Sequence, residues 1–257
     1  MGSGIAQVFA QHGFKTILFD INEDGLENAK GKIKKYSPEG FERIQFTSSL
    51  NDCKADVVTE AIVENTAIKA RLFNDLININ GSNTIFTTNT SSLSVTAIAE
   101  KIARPEQFAG LHFFNPAPLM KLVEIVSTRH TSPKVIESLT QLTHAVGKIA
   151  VTCKDSPGFI VNRVARPYYI EALHLAEKFD VDFATIDKLA EATGFKMGPF
   201  RLMDLIGNDI NYSVSCIVHD ALGKPERLKP SHIQEAKVKE GSLGRKTGKG
   251  YYEYPGV

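Results

Sequence analysis

The sequence predicts an α/β unit built on a doubly wound parallel sheet, followed by an all-α unit. Up to about residue 155, short apolar runs alternate with amphipathic stretches of helical period, the pattern of strands joined by crossover helices. From Phe159 onward the apolar spacing is helical for about 90 residues, with no strand pattern. Between the two, Lys154-Asp155-Ser156-Pro157-Gly158 reads as a joint, with Ser156 placed to cap a helix and Pro157 at its first position. This divides the chain into residues 1–155 and 156–257. The length, 257 residues, suits two domains at roughly 150 residues each.

Gly2 to His12 reads as an amphipathic helix stopped by Gly13, and Thr16 to Phe19 as a short apolar strand closed by Asp20. Asn22 can cap a lysine-rich helix to Tyr36. Strands follow at 56–62, 84–88, 108–114, 122–126 and 149–153, with helices at 66–79, 95–102 and 133–146. In the second part, helices are expected at 159–178, 183–193, 200–222 and 231–239. Pro167 falls inside the first and should kink it unless a partner absorbs the lost bond, while Gly194 closes the next. Helices this apolar imply a partner surface.

Composition excludes several classes. Apolar types are 42% and charged types 23%, so this is no disordered or disulfide-scaffold chain. Thirty basic against 29 acidic residues leave a formal charge of +1, no field to gather nucleic acid or anionic membrane. Cys53, Cys153 and Cys216 have neither metal nor redox spacing and suit free thiols in a reducing compartment. No apolar run nears the ~18 residues of a membrane span, and no signal peptide opens the chain. Asn89-Thr90-Ser91 and Asn211-Tyr212-Ser213 match the glycosylation sequon only by chance in a protein of the cytosolic kind.

A dinucleotide site of the Rossmann type requires a strand, a glycine turn, a helix N-terminus for the pyrophosphate and an acidic residue about 20 positions on for the ribose. Gly2 at a helix start and Asp20 at a strand end, 18 positions later, fit the last glycine and the acid. The preceding strand and the other two glycines would then lie ahead of Met1. A chain without them is expected to fold marginally and bind the dinucleotide weakly, since a central parallel strand is buried on both faces. Asp20 could also simply cap the next helix. Its carboxylate, followed by Ile21-Asn22 and not a basic residue, favours NAD over the 2′-phosphorylated form.

His112 is the only histidine in a strongly apolar segment, and Glu124 lies in a second apolar strand where a lone carboxylate would be costly. Two strand-borne ionisable groups that each need a partner suggest a pair, with the imidazole titrating near neutrality as a proton acceptor for an alcohol. A hydrogen-bonded core histidine is the bland alternative. Ser91 falls just past a strand, at the carboxyl edge where open sheets bind ligands, although Thr90, Ser91 or Ser92 could cap a helix there. Asn162 is a poor helix former in an apolar helix.

The segments NTSSL, GLHFFNP, MKLVEIV, DSPGFIVNR, MGPF and GRKTGKGYYEY occur in that order along the chain. With them the sequence closely resembles the L-3-hydroxyacyl-CoA dehydrogenase family, in its short 3-hydroxybutyryl-CoA type. The resemblance implies an NAD-dependent oxidoreductase acting on acyl-CoA, with no metal, as a homodimer formed through the helical domain. It implies His112 as base and acid, Glu124 as its orienter, and Ser91 and Asn162 as substrate contacts. Gly2, Asp20, Glu64, Lys69 and Asn89 would hold the cofactor, although Glu64, Lys69 and Asn89 could each be solvated surface groups. Lys30, Lys32, Lys34 and Lys35 would lie near the nucleotide tail of coenzyme A or form a solvated face. The implied location is a bacterial cytoplasm or the mitochondrial matrix. Residues 241–250, with Arg245, Lys246 and Lys249, read as a flexible basic loop of no assigned role. The alternative is a weakly active or non-catalytic, crystallin-like relative; a sugar-acid or 2-hydroxyacid dehydrogenase would usually offer lysine as its base.

Overall fold

The computed structural model describes residues 1–256, and the chain folds as two units, Met1–Phe159 and a second beginning at Ile160. The first opens with α1 (Gly2–Gln11), which buries Ile5, Ala6, Val8 and Ala10 and ends ahead of Gly13 at φ +89°. Next come β1 (Thr16–Phe19) and α2 (Glu23–Tyr36). The Asn22 side chain caps α2 by accepting from the Gly25 amide, and acidic first-turn and basic last-turn residues complement its dipole. A four-residue helix, α3 (Pro38–Phe41), and β2 (Ile44–Thr47) were not anticipated, being too short to display a period. The unit continues with β3 (Val57–Glu60), α4 (Thr66–Ile79), β4 (Ile85–Thr88), α5 (Val95–Ala99), β5 (Phe108–Phe113), β6 (Leu122–Ser127), α6 (Pro133–Ala145) and β7 (Ile149–Lys154).

Two features correct the expectation of one parallel sheet. First, β1 and β2 pair in parallel as a sheet of their own, while β3-β4-β5-β6-β7 form a five-stranded sheet. Among the described residues no strand joins β1 to β3; in doubly wound order that gap is where the strand ahead of the glycine turn would run. Second, β6 is antiparallel to β5, because eight residues without a helix link them and a parallel return needs a crossover of a dozen or more. The sheet core is dense where it is flanked on both sides: Phe86, Phe108, Val123 and Ile125 are fully buried.

The second unit is all-α. Its first helix, α7, spans Val161–Phe179 and runs through Pro167. The expected start at Ser156-Pro157 is instead a turn, because Gly158 (φ +74°) and Phe159 (φ +48°) both take the left-handed region, where a right-handed helix cannot start. After α8 (Phe183–Ala192), the single helix expected at 200–222 is two, α9 (Pro199–Ile206) and α10 (Asn208–Ala221), broken by Gly207 at φ +105°. Finally α11 (His232–Lys239) is capped by Ser231.

Two buried carboxylates fasten this unit. Asp187 accepts from the Phe200 and Arg201 amides and the Tyr252 hydroxyl. Asp204 accepts from the Tyr251 and Tyr252 amides, the Tyr254 hydroxyl and Asn208. A Cβ at Gly198 would collide with Asp187, and one at Gly250 with Asp204. The loop read as flexible is therefore anchored: its Lys246 pairs with Asp209 at 2.6 Å, and its end wraps Asp204.

Candidate active site

The antiparallel β5–β6 pairing, missed from sequence, creates the central feature. It puts His112 directly opposite Glu124 in register. Both side chains are buried, and His112 Nδ1 lies 2.8 Å from Glu124 Oε2. A carboxylate at that distance fixes the tautomer: Nδ1–H donates to Glu124, and Nε2 is left to exchange a proton. Aromatic rings flank the imidazole, Phe114 at 4.5 Å and Phe159 at 5.8 Å between centroids.

A second buried ionic group sits at the carboxyl ends of β3 and β4. Lys69, 1% exposed and set in the first turns of α4, donates to Glu60 Oε1 at 2.6 Å and to the Ile62 carbonyl at 3.4 Å, and forms an ion pair with Glu64 Oε2 at 3.2 Å. Glu60 also accepts from the Ile62 amide and, at 2.8 Å, from the Thr88 hydroxyl of the neighbouring strand. Glu64, partly exposed, accepts from the Thr90 hydroxyl at 2.8 Å and the Ser91 amide at 3.1 Å. Lys69 is thus no solvated surface group, and Glu64, though exposed, sets the loop that carries Ser91 through its bonds to Thr90 and Ser91.

Ser91 is no helix cap. That position belongs to Ser94, which accepts from the Ala97 amide, with Asp155 accepting from the Ser94 hydroxyl and the Thr96 amide. Asn89 accepts from the Phe113 amide at 2.8 Å, tying the end of β4 to the strand that carries His112. Ser91, Glu64, Lys69, Asn89, His112 and Glu124 therefore all belong to the five-stranded sheet and its loops. Asn162 lies in the second unit, half-buried in the first turn of α7.

Gly2 begins α1 with no acidic residue in its first turn, so nothing on the helix opposes an anion there. Gly4 packs on Ala117 and Pro118 of the β5–β6 loop. Asp20 ends β1 exposed; one oxygen accepts from the Asn22 amide, so it helps turn the chain into α2 and keeps the other oxygen available. These residues fit a dinucleotide.

Sequence reasoning missed Glu60, Asp155 and Lys148. Glu60 looks like any strand-end carboxylate, but its spacing of nine from a lysine facing the sheet was the available signal. Lys148 is buried and donates only to carbonyls, those of Ala117 (2.7 Å), Pro118 (3.2 Å) and Met120 (2.9 Å). Burial pushes its pKa down. Nothing in its sequence neighbourhood announces that clamp. Cys153 has a thiol pushed up to about 12 by burial, then by Glu124 and Asp155.

An oriented imidazole on a doubly wound sheet, with a glycine-led helix and a strand-end aspartate, is what alcohol oxidation by a pyridine nucleotide requires. These are the features of an oxidoreductase site. Residues 1–156 match the family model described as 3-hydroxyacyl-CoA dehydrogenase, NAD binding domain, and residues 158–254 that of its C-terminal domain. The chain belongs to the 3-hydroxyacyl-CoA dehydrogenase family, whose members are NAD-dependent enzymes. It is 44% identical to the 3-hydroxyadipyl-CoA dehydrogenase of Escherichia coli K12, over 99% of this chain and 57% of that protein. To the mitochondrial hydroxyacyl-coenzyme A dehydrogenase of Sus scrofa it is 41% identical, over 99% and 88% respectively. Among solved structures, the 3-hydroxybutyryl-CoA dehydrogenase of Escherichia coli K12 superposes with a TM-score of 0.95 at 42% identity, covering 100% of this chain and 58% of that one. The chain thus spans little more than half the length of the first of these relatives.

Proposed function

We propose that the chain interconverts (S)-3-hydroxyacyl-CoA, of the 3-hydroxybutyryl-CoA type, and 3-ketoacyl-CoA by hydride transfer with NAD. The observation that carries this is the buried His112–Glu124 pair at 2.8 Å. His112 Nε2 takes the hydroxyl proton during oxidation and returns it during reduction. Glu124 holds the ring in that tautomer and stabilises the imidazolium, which would otherwise be costly in so buried a place. Ser91 and Asn162 hydrogen-bond the substrate oxygens, with bonds that strengthen as charge develops. When bound, the nicotinamide supplies the hydride acceptor. The start of α1 at Gly2 receives the pyrophosphate, and Asp20 accepts from the ribose hydroxyls and repels a 2′-phosphate. Glu64 and Asn89 complete the cofactor side, with Lys69 acting through Glu64.

The helical unit carries the homodimer contact in this reading. Val164, Phe179 and Leu189 there are 71%, 60% and 63% exposed, apolar surface that such a contact would bury. Among the described residues no helix is long and apolar enough to cross a membrane. A bacterial cytoplasm or mitochondrial matrix fits the bacterial and mitochondrial relatives.

Absorbance at 340 nm, with acetoacetyl-CoA and NADH and a His112→Ala control, tests the proposal. Oxidation of NADH that vanishes in the variant supports it. No turnover by the parent chain, or equal turnover by the variant, would refute it for this chain.

A further inference from the structure

We infer that Phe159 is a positioning residue for the imidazole of His112, and that the chain holds it in a strained backbone conformation for that purpose. The inference rests on the reading of His112 as the proton-transfer group.

Two independent observations carry it. The first is backbone geometry. Gly158 and Phe159 take the left-handed region in succession, at φ +74° and φ +48°, within a turn in which the Phe159 amide donates to the Ser156 carbonyl. Glycine adopts that region freely, whereas a bulky side chain there is an outlier sustained only when its surroundings over-determine it. Of the two successive positions, the second carries a phenylalanine.

The second is where that side chain goes. Phe159 is 4% exposed and joins the core of Phe73, Phe86 and Phe108 beneath the sheet. Its ring meets His112 at 5.8 Å between centroids and 61° between planes, while Phe114 lies at 4.5 Å and 51°. Glu124 holds the imidazole at one atom, Nδ1. Held only through Cβ and one hydrogen bond, the ring can still rock about its side-chain torsions, and that motion moves Nε2, the atom that must face the substrate. Rings packed on the imidazole stop it. Phe114 follows His112 by two residues, one past the end of β5, and is tied to it by that short stretch of backbone, so the independent brace comes from Phe159. The first unit ends at Phe159, so the brace is the last residue of the unit that carries the proton-transfer pair.

The test replaces the ring by apolar side chains of somewhat smaller volume, with Phe159→Met and Phe159→Leu. Both should melt cooperatively near the parent temperature. Both should lose kcat by about tenfold, short of the ~100-fold that a 1 Å misplacement can cost. KM for NADH and acetoacetyl-CoA should stay within about twofold, while the isotope effect on kcat with 4-deuterated NADH rises as the chemical step slows. Parent-like kcat in either variant, or a loss confined to KM, would overturn the inference. So would failure of both to melt cooperatively, since the ring would then act through the core alone. Survival of activity in His112→Ala would refute the reading beneath it; loss there with full activity in Phe159→Met refutes only the brace.

Discussion

Replacing Lys69 by Met should unlock the carboxyl end of the sheet, and the size of the effect follows from burial. The Lys69 and Glu60 side chains are each 1% exposed, so deleting the ammonium leaves Glu60 as a carboxylate out of reach of water. Breaking a buried pair from one side costs about 3–5 kcal/mol, far more than the pair contributes relative to a neutral replacement. With about 2–4 °C per kcal/mol for a unit of this size, the midpoint should fall by roughly 10 °C. Guanidinium titration read by hydrogen-exchange mass spectrometry on peptides from β3 and β4 isolates the first unit's transition. The double variant Glu60→Gln, Lys69→Met removes the stranded charge while keeping an acceptor for the Ile62 amide, and should recover about 2 kcal/mol. A single-variant cost below about 1 kcal/mol, or no recovery in the double, would refute the reasoning.

Other outcomes follow from the same geometry. Glu124→Gln should lower kcat by about 100-fold or more with little change in folding, checked by steady-state rates beside a melt. Replacing Asp20 by Ala with Ile21→Arg should raise KM for NADH and admit NADPH, read as a change in the ratio of the two kcat/KM values. Cys153, with its pKa pushed up to about 12, is mostly protonated below that pH. Its alkylation by iodoacetamide at pH 8 should be about 1,000-fold slower than in the unfolded chain and should climb with pH; peptide mass mapping checks this, and equal rates would contradict it. Asp204→Ala should free residues 250–254, with a loss of about 3 kcal/mol and early proteolysis at the C-terminal end, because four hydrogen-bond donors lose one acceptor.

Elements with a clean period were legible: β1 and α4 fall where the apolar spacing placed them, and Asn22 caps α2 as its position implied. What was illegible has a physical cause in each case. Ile44–Thr47 is too short to show alternation, so β2 was missed. Gly207 inside an apolar helical pattern looked tolerable, yet its φ of +105° divides the helix. The direction of β6 depends on the absence of a crossover helix, which apolar pattern alone does not weigh. That last miss matters most. His112 and Glu124 were read as a pair, and the antiparallel return is what puts them opposite each other in register. By contrast, Lys69 was visible as a candidate while its acceptor Glu60 was not, because their contact is made across a strand-to-helix turn.

The first unit buries two carboxylates on its strands and solves each burial differently. Glu60 is matched by the Lys69 ammonium, an ion pair closed among acceptors of the chain itself. Glu124 is matched by an imidazole, whose charge changes by one whenever Nε2 gains or loses a proton. Only the second arrangement can take up a proton from a substrate and return it, and the carboxylate makes the charged state of the ring the one with a partner. The division of labour predicts that Glu60→Gln, wherever it still folds, leaves the shape of the pH–rate profile for acetoacetyl-CoA reduction unchanged, whatever it does to stability or KM. Glu124→Gln should change that shape, because the protonated imidazole then faces a neutral amide. A profile displaced in Glu60→Gln and untouched in Glu124→Gln would reverse the assignment, placing the working proton at the lysine cluster.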